Sequence, residues 1–333
     1  MEDKDVASRQ AIGDKATAAL GLAQAGRGAI ALCFGWALLS VLLFIGFGLL
    51  PVGPRADWFP IVVSLLKIGA FLMAAALCWR NTRLAAILSG QRVWQAIAAG
   101  LIFYALGDIT VILWRSVWGM TSVVSLGDVF YGASYLLLAI GLLSAVMPRQ
   151  IILSWKQSLG IAIAGTVGIV LACWLNFYAL AAEIPTAEAV SVEAKGAVIG
   201  AIATTSSTVP AILQLIDQRL SVLSEGLVLL YVTGDCLIIV LAAALLIAFW
   251  GGTYSQAWKL IALAGLCLYV ADMFLIYQVG QGSYRQGAPW EILWILSALF
   301  FGLGASVEHG VSTKMQKTRS RSGSQGESRR QWT

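Results

Sequence analysis

Two stretches of the chain share one spelling, Tyr-x-x-Gly-Asp: Tyr104 to Asp108 in YALGDITVILW and Tyr231 to Asp235 in YVTGDCLIIVL. Each sets an aspartate inside an apolar run, where a carboxylate at mid-bilayer costs about 2.5–3.5 kcal/mol on insertion scales. Asp128 in SLGDVFYGASY, Asp272 in YVADMFLIY and Lys67 in IVVSLLKIGAF stand in similar surroundings. Carboxylates so placed either hydrogen-bond hydroxyls or an ammonium and lock helices together, or line a water-accessible chamber for a cationic or polyhydroxylated ligand or a lipid headgroup. Both readings stay open on the sequence alone. The candidate ligand-binding residues are Asp108 and Asp235 first, with Asp128, Asp272, Lys67, Tyr104 and Tyr231 around them. Gly107, Gly127 and Gly234 stand beside three of the acids and permit close approach of a helix or a ligand, helix packing being the simpler use. Tyr131, Tyr135, Trp114, Trp118, Trp290 and Trp294 fall at the same depth, and most of them read as interfacial belt residues.

The elements that hold these residues follow from composition. Of 333 residues, 59% are hydrophobic and 12% charged, and mean hydropathy is +0.81. A water-soluble domain of that length could not carry this without exposing apolar surface. Seven stretches, about 28–50, 59–79, 94–115, 127–147, 158–182, 226–250 and 257–278, and a shorter aromatic-rich eighth at about 289–308, match the ~20 residues needed to cross a hydrocarbon core. The runs are continuous rather than alternating, which excludes a barrel. The expectation is an all-α polytopic bundle of about eight transmembrane helices. Residues 1–27 carry mixed charge and no cleavable signal pattern, so the first span is expected to stay as an anchor.

A ninth candidate, 197–216, is interrupted by Thr204, Thr205, Ser206, Ser207, Thr208 and Pro210. With eight spans, sixteen of the 22 basic residues lie on the side of both termini and five on the other, with Lys67 inside a span. Counting 197–216 as a span gives eleven against ten. The positive-inside rule therefore favours eight spans with both termini cytoplasmic in the cell membrane. The 183–225 region then faces outward, with 197–216 as an interfacial or re-entrant helix. On this topology Asp108 lies seven residues from the outward end at Arg115, roughly 10 Å deep, and Asp235 about ten residues in, roughly 15 Å. All four aspartates and Lys67 fall in the outer half of the bilayer.

Several chemistries lack their residues. Cys33, Cys78, Cys173, Cys236 and Cys267 lie within spans without a C-x-x-C pair, and His309 is the only histidine. That argues against a disulfide framework, a zinc site, a Ser-His-Asp triad or paired-histidine haem ligation. No nucleotide-binding fingerprint is present. The reading is non-enzymatic, without a cofactor. The segment 309–333 is Ser/Gly-rich and basic and reads as a disordered cytoplasmic tail that attracts anionic lipid at about 1 kcal/mol per cation. The net charge of +5 fits a membrane surface and makes no case for nucleic acid.

The repeated spelling also suggests two duplicated halves. Tyr-x-x-Gly-Asp is followed by a further aspartate after 20 residues in the first copy (Asp108 to Asp128) and after 37 in the second (Asp235 to Asp272). Such halves would place one pseudo-symmetric site between them.

At Gly107-Asp108, Ser125 to Tyr131 with Tyr135, Tyr231 with Gly234-Asp235, and Ala271-Asp272 with YQVGQGSYRQGAPWEILWILSALFFGLGA, the chain resembles a family. This is the multi-pass sensor region that precedes GGDEF/EAL or histidine kinase modules in many bacteria. The resemblance covers about 94–308, with Gly127 where alanine is usual, Glu291 where aspartate is usual, and an additional 183–225 insertion. It implies a sensor-like signalling input module. Only about twenty-five residues follow the last span, too few for a catalytic output domain, so signalling is expected to pass through a membrane partner, a homo-oligomer or the basic tail. Two other classes remain: a small-molecule or ion transporter, which also gathers carboxylates, and an intramembrane hydrolase of the lysoplasmalogenase type, whose remaining pattern is not matched here.

Overall fold

An apolar run of about twenty residues has one stable form in lipid, because every backbone N–H and C=O must be satisfied within the segment. The computed structural model describes residues 27–49, 56, 58–84, 87–120, 124–146, 155–183, 210–248 and 255–330, and among them there is helix and no strand. The helices are α1 (Arg27–Leu49), α2 (Phe59–Thr82), α3 (Gln91–Ile112), α4 (Leu126–Val146), α5 (Trp155–Glu183), α6 (Ala211–Val222), α7 (Ser224–Ala248), α8 (Ser255–Gly280) and α9 (Ile292–Arg330). Eight of them, all but α6, are long and apolar enough to cross a membrane. The chain is a multi-pass integral membrane protein with an all-α bundle.

Six spans close a ring. α2 packs on α3, α3 on α4, α4 on α7, α7 on α8, α8 on α9, and α9 back on α2. α5 lies outside the ring against α7 and α8, and α1 lies outside against α2, where the Trp36 indole donates to the Leu66 carbonyl at 3.1 Å. The burial of each span follows this order: 17% of the apolar window of α1 and 22% of that of α5 are buried, against 50–67% for α2, α8 and α9. The outer spans present Leu38, Leu42, Ile163 and Val167 outward, a surface suited to acyl chains. Inside the ring Phe71, Leu101, Leu138, Ile261, Leu268 and Ile295 fill the space with at most 1% exposure.

Small residues set the contacts, as expected where lipid removes the hydrophobic drive between helices and leaves packing to hold them. A Cβ on Gly100 of α3 would meet Leu138 of α4 at 2.8 Å, and one on Gly141 of α4 would meet Ile97 of α3 at 2.7 Å. These reciprocal seats run α3 and α4 antiparallel along their full length.

Two boundaries differ from the sequence reading. α9 does not stop at 308: it continues to Arg330, with Glu308, His309 and Ser312 buried in the bundle. The first residues of the expected disordered tail are thus helical, because polar partners on α2 and on the α2–α3 loop satisfy them. The expected interfacial helix at 197–216 falls mostly on residues 184–209, outside the described residues. The helix that is described, α6, begins after Pro210 and has 12 residues, about 18 Å and too short to span.

Candidate functional site

Each of the six ring helices sends at least one polar or aromatic side chain to one layer of the bundle. Lys67 comes from α2, Tyr104 and Asp108 from α3, Asp128, Tyr131 and Tyr135 from α4, Tyr231 and Asp235 from α7, Asp272 from α8, and Trp294 from α9. All seven residues singled out in the sequence are in this layer.

The layer is built around two tyrosines of α4, one turn apart. Tyr131 lies over Gly107, where a Cβ would come within 2.6 Å of its ring, and Tyr135 lies over Gly234, where a Cβ would come within 2.7 Å. Each motif glycine is therefore a seat that lets a tyrosine of α4 reach the acids beside it. The Tyr131 hydroxyl donates to Asp108 Oδ1 at 2.6 Å. The Tyr135 hydroxyl donates to Asp272 Oδ2 and also lies against Asp235. The motif tyrosines complete the contacts: Tyr104 meets the Tyr131 ring edge-on at 5.1 Å, and Tyr231 packs on the Tyr135 ring at 5.8 Å. α3 runs antiparallel to α4, whereas the contacts of α7 rise in step with those of α4. The two copies of the spelling thus approach α4 in opposite directions and serve a single site.

Charge in the layer is unbalanced. Lys67 Nζ pairs with Asp108 Oδ1 at 2.7 Å and sits 4.4 Å from the centre of the Trp294 ring. The Trp294 indole donates to Asp272 Oδ1 at 2.9 Å. The Asp235 and Asp272 carboxyl groups interact directly, and a hydrogen bond between two carboxyl groups needs a hydrogen on one of them. Two carboxyl oxygens are left over: Asp108 Oδ2 and Asp235 Oδ1 are buried without a hydrogen-bond partner. Asp108, Asp235 and Asp272 are 4%, 1% and 8% exposed even without lipid. The expected water-accessible chamber is closed in this structure, because the ring helices and the tyrosines of α4 cover these carboxyl groups.

Asp128 has a different setting. Its Oδ2 accepts the Ser125 backbone N–H at 2.7 Å and the Ser125 hydroxyl at 2.9 Å, which caps the start of α4. Its Oδ1 accepts the Tyr231 hydroxyl at 2.8 Å, tying α7 to α4. Glu291 does similar work at α9, where Oε1 accepts the Gly287 and Ala288 N–H groups at 2.8 and 3.3 Å. Burial and the neighbouring Glu291 carboxylate push the Tyr284 phenol, in the loop before α9, well above its ordinary range.

The belt reading of the aromatics is corrected for the residues that matter most. Tyr131, Tyr135 and Trp294 face inward and hydrogen-bond acids, and Trp114 is fully buried. The four-residue spacing of Tyr131 and Tyr135, three residues after Asp128, was the available signal.

A second polar cluster, not foreseen from the sequence, lies about 21 Å along α2 from Lys67. Asn81 of α2 donates to the Ala305 carbonyl at 2.9 Å and its side-chain oxygen meets His309 Nδ1 at 3.1 Å. Glu308 Oε1 accepts the Ser89 N–H at 3.0 Å, the Ser89 hydroxyl and the Trp94 indole at 3.4 Å. Between the clusters the ring is mainly apolar, apart from Ser297 of α9, which donates to the Ala264 carbonyl of α8 at 2.8 Å. Among the described residues no group of three or more His, Cys, Asp or Glu side chains is arranged to hold a metal.

The chain matches no protein-family model, no curated protein and no solved structure.

Proposed function

We propose that this protein is a sensor-like, non-enzymatic input module of the cell membrane, with both termini cytoplasmic, whose acid–tyrosine layer binds a ligand bearing a cationic group. The observation that carries this reading is the pair of sealed, unpartnered carboxyl oxygens on Asp108 and Asp235, in a layer where Lys67 pairs with only one of three buried aspartates. An excess of buried carboxyl groups calls for a proton or a cation. A cationic donor on the ligand reaching Asp235 Oδ1 would stand in for a proton held between Asp235 and Asp272 and thereby shift α7 against α8. A membrane partner or a second copy of the chain reads that shift. This is the resemblance to bacterial sensor regions expressed as a mechanism.

Native mass spectrometry of protein gently extracted from its own membrane, wild type beside Asp108→Asn/Asp235→Asn, tests it. The expected result is a discrete bound mass on the wild type that is absent from the folded double variant. No adduct on either, with the variant less stable to heat, makes the aspartates structural and overturns the reading.

One observation favours a second reading. The Asn81–His309 and Glu308–Ser89 cluster gives the bundle polar groups near both ends, as a transporter requires, although Phe71, Leu101, Leu138 and Ile295 fill the ring between them. Uptake of organic cations into proteoliposomes separates the two readings. Incubation with lysoplasmalogen checks the hydrolase class.

A further inference from the structure

Arg80, in the last turn of α2, has an environment that the fold does not complete. Its Nε and Nη2 atoms are buried and neither has a hydrogen-bond acceptor. These two nitrogens form the side-on edge of the guanidinium, the edge that takes two oxygens of one carboxylate or phosphate in bidentate pairing. A buried guanidinium edge with no acceptor is costly. A basic residue at a helix C-terminus ordinarily serves the terminal carbonyls, but these nitrogens reach none.

The neighbouring groups do not supply an anion. Glu308 is held by Ser89 and Trp94. Asn81 gives its amide nitrogen to Ala305 and its oxygen to His309, so the hydrogen of a neutral His309 sits on Nδ1 and Nε2 is left for another partner. The imidazole is close enough to interact electrostatically with Arg80. The unpartnered guanidinium edge thus lies where α2 packs on α9. Arg80 lies 21 residues beyond Phe59, about 32 Å along the helix, which is the far polar edge of a ~30 Å hydrocarbon core and the depth of lipid phosphates.

We propose that Arg80 forms, at the contact of α2 with α9, an anion subsite that takes a phosphate group, supplied either by an anionic lipid headgroup or by a free phosphate. The guanidinium edge holds two phosphate oxygens. The site is distinct from the acid–tyrosine layer at the other end of the bundle and does not depend on its ligand.

The test uses the full chain in phosphatidylcholine nanodiscs, with phosphatidylglycerol or inorganic phosphate as the added probe and thermal unfolding as the readout. Phosphatidylglycerol is expected to raise the wild-type midpoint by about 2–4 °C. That shift disappears in Arg80→Gln and persists in Arg83→Gln, a change at an exposed arginine of the same helix end. A shift produced by inorganic phosphate in pure phosphatidylcholine, beyond that of chloride at equal ionic strength, assigns the site to free phosphate; a shift seen with the lipid alone assigns it to the headgroup. Arg80→Lys keeps the charge and loses the two-nitrogen edge, and carries the same comparison should Arg80→Gln not fold. Equal responses of wild type and both Arg80 variants to both probes, or an equal loss in Arg83→Gln, overturn the proposal.

Discussion

Lys67 is the residue on which the electrostatics of the layer turn. It reaches Asp108 Oδ1 at 2.7 Å with a side chain 13% exposed, so its removal strands a carboxylate in a low-dielectric site. Lys67→Met is expected to destabilise the protein by about 3–5 kcal/mol, the cost of breaking a buried pair by deleting one partner. Lys67→Met/Asp108→Asn removes both charges and is expected to recover much of that loss, because an apolar replacement of a whole buried pair is often near neutral. Thermal unfolding of the two single variants and the double variant in one detergent closes the cycle. Additive losses would mean that the two side chains do not depend on each other. The acids themselves were legible in the sequence, since charge inside an apolar run stands out. Their partners were less so, because a tyrosine at this depth is equally at home in an interfacial belt or turned inward on a carboxyl, and only the rotation of α4 decides which.

At the scale of the element, the two Tyr-x-x-Gly-Asp helices show why one local pattern occurs twice. α3 and α7 flank α4, and each supplies a glycine under an α4 tyrosine and an aspartate beside it. Gly107→Ala and Gly234→Ala would each push a methyl into a tyrosine ring held on both sides, at a cost of about 1–3 kcal/mol. Gly35→Ala on the outer helix α1, where a Cβ meets nothing within 4 Å, is expected to be neutral or slightly stabilising. Chemical denaturation of the three variants distinguishes a seat from a tolerance; equal effects at all three positions would show that the glycines serve only general helix packing. The recurrence was visible in the sequence and suggested duplicated halves. The antiparallel relation of α3 and α7 merges the two copies into one site, and chain direction is information that a five-residue spelling does not carry.

For the molecule as a whole, the ring of α2, α3, α4, α7, α8 and α9 places the acid–tyrosine layer at one end and the Arg80, Asn81, Glu308 and His309 groups at the other. The basic residues Arg80, Arg83, Arg92, Lys259 and Lys314 lie toward this second end, which the positive-inside rule assigns to the cytoplasm. A reporter that is active only in the cytoplasm, fused after Thr333, is expected to be active, and the same reporter in the α3–α4 loop silent. The reverse pattern would place the acid layer on the cytoplasmic side and remove the case for an externally supplied ligand.

The sequence by itself determined the solvent and the helical form of the eight described spans. Long apolar runs have only the helix available in lipid, and the count of basic residues on each side is independent of packing. It also marked Asp108, Asp128, Asp235, Asp272 and Lys67, because the cost of charge in an apolar run depends on the run and hardly on its neighbours. The tertiary structure decided which of these groups meet. Lys67 joins Asp108, Asp235 joins Asp272, Asp128 joins Ser125 and Tyr231, and α9 carries His309 and Ser312 past the expected end of the span. These pairings depend on helix rotation and adjacency, set by where glycines let two helices close upon a tyrosine. Information of that kind is spread over residues far apart in the chain, and no single stretch contains it.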